Sequence, residues 1–403
     1  MFVRQSCEAR PLNSQDTSAL KVWLLTNAPS PYQMEFLEAL ATQPDLELAV
    51  RFMRTDFRGQ KVDISTYKFD ADCMAAIGVS SDRDELRLHP TALRECWMGS
   101  SDVYVLSGLY TSPTFLACAL CLALRRRRYV LWLERPSIRS GQASFLKRLV
   151  RWPIACLRSV VLRAVFAGAG RVICIGSLAV EQYKRLTLAA KLRMVPYCSN
   201  TARFENPNTE EIQRIESAWH LTGKFVFLFS GQLIVRKGVD TLLAAYKIVA
   251  EKRPDTALVL LGDGPLRSEL AEVAKTISSG VVVFGGHQPQ ELLPACFACG
   301  SVFVFPSRHD GWGVVINEAA ASGLPIISSK QTGATHDLVI EGENGFQCDA
   351  ENVSQFAERM IEMIDRQHEL PSFADRSREL AARCSTEQGA SDFAKILRDL
   401  VPS

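Results

Sequence analysis

No stretch of this 403-residue chain approaches the run of about 20 uncharged apolar residues that a membrane-spanning helix needs. Its first residues carry Arg4, Glu8, Arg10 and Asp16, where a secretory leader would need an apolar core. The expected compartment is the cytoplasm. Histidine is scarce, with six in all and only His89 before residue 205, so imidazole chemistry has few candidates. His89 follows no recognisable strand and is expected on the surface. There is no internal repeat, Pro-rich tract or low-complexity segment, which excludes solenoid and disordered architectures. Twelve cysteines do not compose a metal site. The two Cys-x-x-Cys pairs, Cys118/Cys121 and Cys296/Cys299, lie in apolar helical runs and have no Cys or His neighbours at zinc-binding spacing. They read as reduced, small hydrophobes, and neither a metal nor another cofactor is expected.

The length suggests two large domains, and 47% hydrophobic with 22% charged residues is an ordinary globular balance. The net charge of +2 conceals an asymmetry. Residues 1–205 hold 28 Lys+Arg against 18 Asp+Glu, so the remainder is acidic. Between Val103 and Arg203, 17 basic residues, among them Arg125 to Arg128, face only Glu134 and Glu181. Such a face attracts an anionic membrane surface or another phosphate-rich partner, or is simply a solvated charged surface. No base-reading motif accompanies it, and nucleic acid is not expected.

Strand-like runs alternate with helical patterns twice over, as in βαβ units of a parallel sheet. Lys21–Thr26, Leu46–Phe52, Val103–Ser107, Tyr129–Leu133, Val172–Ile175 and Leu192–Val195 read as strands of the first half. Phe225–Phe229, Ala257–Leu261, Val281–Phe284, Val302–Phe305 and Pro325–Ser328 read as strands of the second, with a helix over Val239–Lys252. A linker at Thr201–Asn208 divides the halves, with Thr209 expected to cap a helix running to Trp219. The fold class is α/β, two Rossmann-like doubly wound domains facing across a cleft. The expected boundaries are 1–204, 205–385 and a C-terminal segment, 386–403, whose helix is read over Ser391–Leu400.

The richest segment runs from Phe305 to Ile326. It places Asp310 and Glu318 eight positions apart around a Gly311-Trp312-Gly313 turn, between an apolar strand and a helix read from Val314. A helix N-terminus at a strand's carboxyl end offers unpaired N–H groups to an anion. Asp310 is expected in the ligand-facing loop and Glu318 about two turns into the helix. Earlier, Gly231-Gln232-Leu233 leads to Arg236-Lys237-Gly238, where two cations reach for a diphosphate. Gly262-Asp263-Gly264-Pro265 reads as a tight turn with Pro265 at a first helical position. His287, Thr332–Leu338 and Glu343–Phe346, with Asn344 and Gly345 as turn formers, complete the rim.

This ordered set of loops, over most of residues 222–350, resembles glycosyltransferase family 4, whose members have the two-domain GT-B fold and use nucleotide-sugar donors. The carboxylate-x7-Glu motif of the family is matched by Asp310 and Glu318, and its Gly-Arg-Leu…Lys-Gly motif by Gly231, Leu233, Lys237 and Gly238. Gln232 replaces the family's arginine, and Arg236 offers a charge four residues on. The resemblance implies that Glu318 binds ribose hydroxyls and that Asp310 lies beside the transferred sugar. Lys237 and Arg236 would hold the diphosphate, with backbone N–H groups of Gly313 and Val314 meeting phosphate or sugar. Gly231, Gln232, Gly262, Gly264, His287, Gly311, Trp312, Gly313 and Val314 make up the rest of the expected donor site. The resemblance also implies transfer with retention of anomeric configuration to a glycan or lipid-linked acceptor, in bacterial surface-polysaccharide synthesis. Asp310 is either a nucleophile or a group that positions sugar hydroxyls.

On the acceptor side the residues are Ser30 and Tyr32 in Asn27–Tyr32, Ser107, and Glu134 at the end of Tyr129–Leu133. Many relatives have a histidine after the fourth strand, and Ser107-Gly108 stands there in this chain. Glu134 either faces the cleft or pairs with Arg135 or Arg139. The stretch from Phe145 to Arg163 interleaves cations with aromatic and aliphatic residues, as an interfacial helix does, or as a core helix with snorkelling side chains does. Two other classes remain: a nucleotide-sugar epimerase of the same architecture, and a non-catalytic nucleotide-sugar or membrane-binding module.

Overall fold

The computed structural model describes residues 19–57, 60–77, 87–110, 112–135 and 160–401. Its first sheet contains β1 (Leu20–Thr26), β2 (Leu46–Phe52), β3 (Asp70–Cys73), β4 (Val103–Ser107), β5 (Tyr129–Leu133), β6 (Arg171–Cys174) and β7 (Leu192–Met194). They are all parallel, in the order β3-β2-β1-β4-β5-β6-β7. The second contains β8 (Phe225–Ser230), β9 (Thr256–Leu261), β10 (Val281–Gly286), β11 (Val302–Phe305), β12 (Ile326–Ser329) and β13 (Gly345–Cys348). These are parallel in the order β10-β9-β8-β11-β12-β13.

Helices cover both faces of each sheet, so the inner strands are apolar on both sides and read as unbroken hydrophobic runs. Leu24 of β1 pairs with Val50 and Val105, and Phe227 of β8 with Leu258 and Val302, all fully buried. The two strands with no apolar signature are edges. β3 reads Asp-Ala-Asp-Cys, and β13 begins at Gly345, which the sequence presents as a turn. Gly345 is in fact a strand residue because β12 passes so close that a Cβ would stand 1.9 Å from the Ile326 carbonyl oxygen. Asn344 turns its side chain inward, accepting from the Ile340 N–H and donating to the Leu338 carbonyl.

Other local expectations are corrected. Asn208 rather than Thr209 caps the helix Thr209–Ala218, its Oδ1 accepting from the N–H of Glu210 at 2.9 Å and of Glu211 at 3.3 Å. An amide side chain one position earlier takes the orphan donors first. Pro265 lies before the helix, which starts at Arg267. His89 is buried, with Nδ1 2.9 Å from Thr114 Oγ1 and Nε2 3.0 Å from the Met53 carbonyl oxygen. Both ring nitrogens are satisfied, which makes it a core histidine.

The C-terminal helix, Thr386–Arg398, lies against the helix Pro31–Ala41 of the first half. Phe393 meets Phe36 at 5.6 Å and Trp132 at 5.2 Å between ring centroids. The chain therefore returns to the first sheet after completing the second. None of the described helices is long and apolar enough to cross a membrane. The basic stretch from Phe145 to Ser159 lies outside the described residues, whereas 160–168 is helical.

Candidate active site

Each sheet reverses its strand order once, between β1 and β4 in the first and between β8 and β11 in the second. Loops leaving two neighbouring strands there diverge to opposite faces and open a crevice at the strands' carboxyl ends. In the second sheet these loops are 231–238 and 306–314, which carry Arg236, Lys237, Asp310 and the Gly311-Trp312-Gly313 turn. In the first they are the Asn27–Tyr32 segment and Ser107-Gly108, with Glu134 following β5 next door.

Asp310 is the hub. Its Oδ2 lies 2.5 Å from Lys237 Nζ and 3.1 Å from Arg236 Nη1. Lys237 is further held over the Phe305 ring, 4.6 Å from its centroid. Arg236 Nη1 also donates to the His309 carbonyl at 2.7 Å. The loop that presents both cations is clamped by Arg308, which bonds Asp240 at 2.7 Å, Glu351 at 3.0 Å and the Val235 carbonyl at 2.6 Å. Gly238 adopts a left-handed φ of +69°, and a Cβ there would stand 2.2 Å from the Pro306 carbonyl oxygen. The cations are thus set by backbone packing.

The turn at 311–313 is zipped to a second loop. Asp310 N–H donates to Gln331, Gly333 N–H to the Asp310 carbonyl, and Ala334 N–H to the Trp312 carbonyl. Gly333 comes so close that a Cβ would be 2.2 Å from the Gly311 carbonyl oxygen. The Trp312 indole N–H donates to Asn317 Oδ1 at 3.0 Å, and Asn317 Nδ2 donates across to the Tyr197 carbonyl at 2.7 Å. Among the described residues, the N–H groups of Gly311, Trp312, Gly313 and Val314 donate to no carbonyl or side chain. Four consecutive amides without an internal acceptor, beside two cations, are the kind of groups an anion site uses.

The glycines of the neighbouring loops, expected in the donor site, spend their N–H groups within the protein. Gly231 N–H donates to Leu261, Gly262 N–H to Gly286 and Gly264 N–H to Asp263 Oδ1. A Cβ on Gly262 would stand 2.0 Å from the Gly231 carbonyl oxygen, and one on Gly264 2.5 Å from that of Leu233. They pack loop on loop. Gln232 lies in the first of these loops, its carbonyl accepting from Ile234, and His287 is exposed just beyond β10.

Glu318 stands in the first turn of the helix Val315–Ala321, a turn nearer its start than expected, because the helix begins only three residues before it. It is 3% exposed, and burial pushes its carboxyl up to about 7 against the hydrogen bond from Tyr32, which favours the charged form. Ser30 caps the helix Pro31–Ala41 and lies 3.3 Å from the Tyr197 hydroxyl. Tyr32, Ser30 and Tyr197 therefore line the cleft opposite Glu318. Ser107 is buried at the end of β4, away from these contacts.

Glu134 faces the cleft. It has no ion pair with Arg135, which instead donates to the Gln331 carbonyl at 3.3 Å, and Arg139 lies outside the described residues. Glu134 Oε2 is 2.8 Å from where a Cβ on Gly311 would sit. The residue is reached by cleft water, yet the protein on both sides withdraws bulk solvation. That desolvation, with Asp310 nearby, pushes its carboxyl up to about 7, against the pull of Arg236. His309 is pushed below its ordinary value by burial and then by Arg135.

Sequence reasoning passed over Arg308 and His309, although both adjoin Asp310 and were within reach. It placed Thr332-Gly333 on the rim but not their backbone pairing with 310–312, nor the Asn317 to Tyr197 contact across 120 positions, which no local pattern announces.

Residues 211–380 match the family described as glycosyl transferases group 1. A GDP-mannose-dependent alpha-(1-6)-phosphatidylinositol monomannoside mannosyltransferase of Mycolicibacterium smegmatis is 32% identical over 188 residues, 43% of this chain and 49% of that protein. The Mycobacterium tuberculosis protein of the same name is 27% identical over 62% of this chain and 67% of its own length. The matches thus span about half to two thirds of those relatives. The capsular polysaccharide biosynthesis glycosyltransferase CapM of Staphylococcus aureus is 28% identical over 41% of this chain and 44% of its own. Among solved structures, Anabaena HepE in complex with UDP superposes with a TM-score of 0.72 at 16% identity, covering 94% of this chain and all of that one. WaaG, a glycosyltransferase involved in lipopolysaccharide biosynthesis, superposes with a TM-score of 0.66 at 15% identity, over 93% and 99% of the two chains. These structural likenesses establish the two-domain GT-B fold.

Proposed function

We propose that this protein, whose residues 211–380 match the glycosyl transferases group 1 family, is a member of that family and moves a sugar from a nucleoside-diphosphate sugar to a glycan or lipid-linked acceptor. Within that group we assign it to family 4, with retention of anomeric configuration and a role in surface polysaccharide or glycolipid synthesis. The observation that carries the reading is the run of undonated amides at 311–314 beside Lys237 and Arg236. As the sugar leaves, negative charge grows on the departing diphosphate, and donors fixed in advance around it bind that charge better as it develops. Glu318, across from Tyr32, is the group for the ribose hydroxyls, and Asp310 lies where the sugar follows the diphosphate. The scheme assigns the charge of the leaving diphosphate to one guanidinium, Arg236, and one ammonium, Lys237, rather than to a metal.

Thermal unfolding with UDP-, GDP-, TDP- and ADP-sugars tests the reading. A ligand at 100 times its Kd adds about 2.7 kcal/mol to the folded state, so one nucleotide class should raise Tm by several degrees. A flat response to all four would contradict it.

We further place a peripheral membrane contact on the end of the helices Pro90–Met98 and Pro113–Leu124, on the cytoplasmic side. Trp97, Met98, Leu120 and Leu124 are exposed there, with Arg125 stacked 5.2 Å over Trp97. Arg94, Arg126 and Arg128 are exposed around them and form no ion pair with described residues. Apolar side chains ringed by arginine suit an anionic lipid surface, where each cation contributes about 1 kcal/mol. The protein should co-float with phosphatidylglycerol vesicles and not with phosphatidylcholine ones, and Leu124→Glu with Trp97→Glu should release it. Equal recovery from both vesicle types would refute this placement.

A further inference from the structure

Glu134 is a carboxyl aimed into a ligand cleft with no partner of its own. Among the described residues its side chain makes no hydrogen bond or ion pair, whereas its main-chain carbonyl accepts from the Tyr183 hydroxyl at 2.8 Å. That bond holds the peptide at the end of β5, and the side chain extends toward Gly311. Only a bare glycine leaves room there, since a Cβ would stand 2.8 Å from Oε2. Beyond Gly311 lies Asp310, already committed to Lys237 and Arg236. With the diphosphate on the amides and cations, the next moiety of the donor falls between these two carboxyl groups.

We propose that Glu134 grips a hydroxyl of the transferred sugar from across the cleft and so selects among donor sugars. The proposal rests on the donor reading above. Glu134 must bind beside Asp310 and an incoming diphosphate, so its protonated form, which donates as well as accepts, is the one suited to a sugar hydroxyl. The groups facing it are Asp310, His309 and Arg236 from the second domain, Tyr183 and Tyr197 from the first, and Arg135 beside it in the chain. Burial holds both tyrosine hydroxyls far above their ordinary range, so they stay neutral. Near neutral pH the local titration thus belongs to Glu134, with Glu318 titrating in the same window at the nucleoside end.

The test separates sugar from nucleotide. Affinities of UDP, GDP, UDP-glucose and GDP-mannose are measured by calorimetry for wild type, Glu134→Ala and Glu134→Gln at pH 6.5 and 8.5. The nucleoside diphosphates should bind all three proteins alike, and this comparison cancels any effect of Glu318. The nucleotide sugar that binds should lose about tenfold in Glu134→Ala and little in Glu134→Gln, since one lost hydrogen bond is worth about that ratio. Between pH 6.5 and 8.5 wild type should lose several-fold more sugar-nucleotide affinity than Glu134→Gln. Equal weakening of nucleotide and nucleotide sugar would make Glu134 merely structural and overturn the proposal, as would no change in either. Binding of none of the four ligands to wild type would instead sink the donor reading, and this proposal with it.

Discussion

Replacing Lys237 by alanine is expected to lower kcat by about 10²–10³, the usual loss when one preorganised group facing a developing anion is removed. The side chain is nearly buried, fixed by Asp310 at 2.5 Å and by the Phe305 ring. Its charge is therefore placed before the donor arrives and needs no rearrangement as the bond breaks. Because Arg236 and the amides of 311–314 remain, donor affinity should fall much less than kcat. Lys237→Met, which keeps most of the apolar stem over Phe305, separates charge from packing. If the methionine variant recovers wild-type turnover, the ammonium is not stabilising the leaving group. Steady-state kinetics with the donor found by thermal unfolding decides it.

Glu318→Gln is expected to gain stability and lose function. The folded-state carboxyl titrates at about 7, above its ordinary 4.5. Between those values the folded protein keeps a proton that the unfolded chain releases, so stability falls as pH rises through this window and levels off above 7. Glutamine carries no such cost, so at pH 8 the variant should be more stable by roughly 2–3 kcal/mol. The gap should close toward pH 5, and urea unfolding at the two values measures it. At the same time the variant should bind nucleotide at least tenfold more weakly, because an amide is a poorer acceptor for two ribose hydroxyls than a carboxylate. Equal stability of wild type and variant at pH 8 would show that Glu318 is not held against its own ionisation. A carboxylate kept at a cost to the fold is what a binding site demands and a core does not.

The inner strands were legible because parallel sheets bury both faces, and runs such as Tyr129–Leu133 or Val302–Phe305 admit no other reading. The edges were not. Asp70–Cys73 has strand geometry only because β2 lies beside it, and nothing in its composition carries that information. At the site, the spacing of Asp310 and Glu318 and the pair Arg236-Lys237 were visible in the sequence. Their arrangement was not, since the Lys237 to Asp310 contact joins residues 73 positions apart. The glycines were read as part of the donor site, and the sequence did not show that Gly231 and Gly262 spend their N–H groups on neighbouring loops. A glycine's need for space looks the same in sequence whether ligand or backbone fills it. His89 misled for a related reason. Its burial depends on Thr114 and Met53, neither of which is near it in the chain.

The measurement that bears most directly on the central claim is a crystal structure with the nucleoside diphosphate that stabilises the protein. The account predicts phosphate oxygens within hydrogen-bond distance of the Gly313 and Val314 N–H groups and of Lys237, with the ribose hydroxyls on Glu318 in place of Tyr32. A diphosphate bound elsewhere, with Lys237 still paired to Asp310 and the amides of 311–314 left undonated, would contradict it.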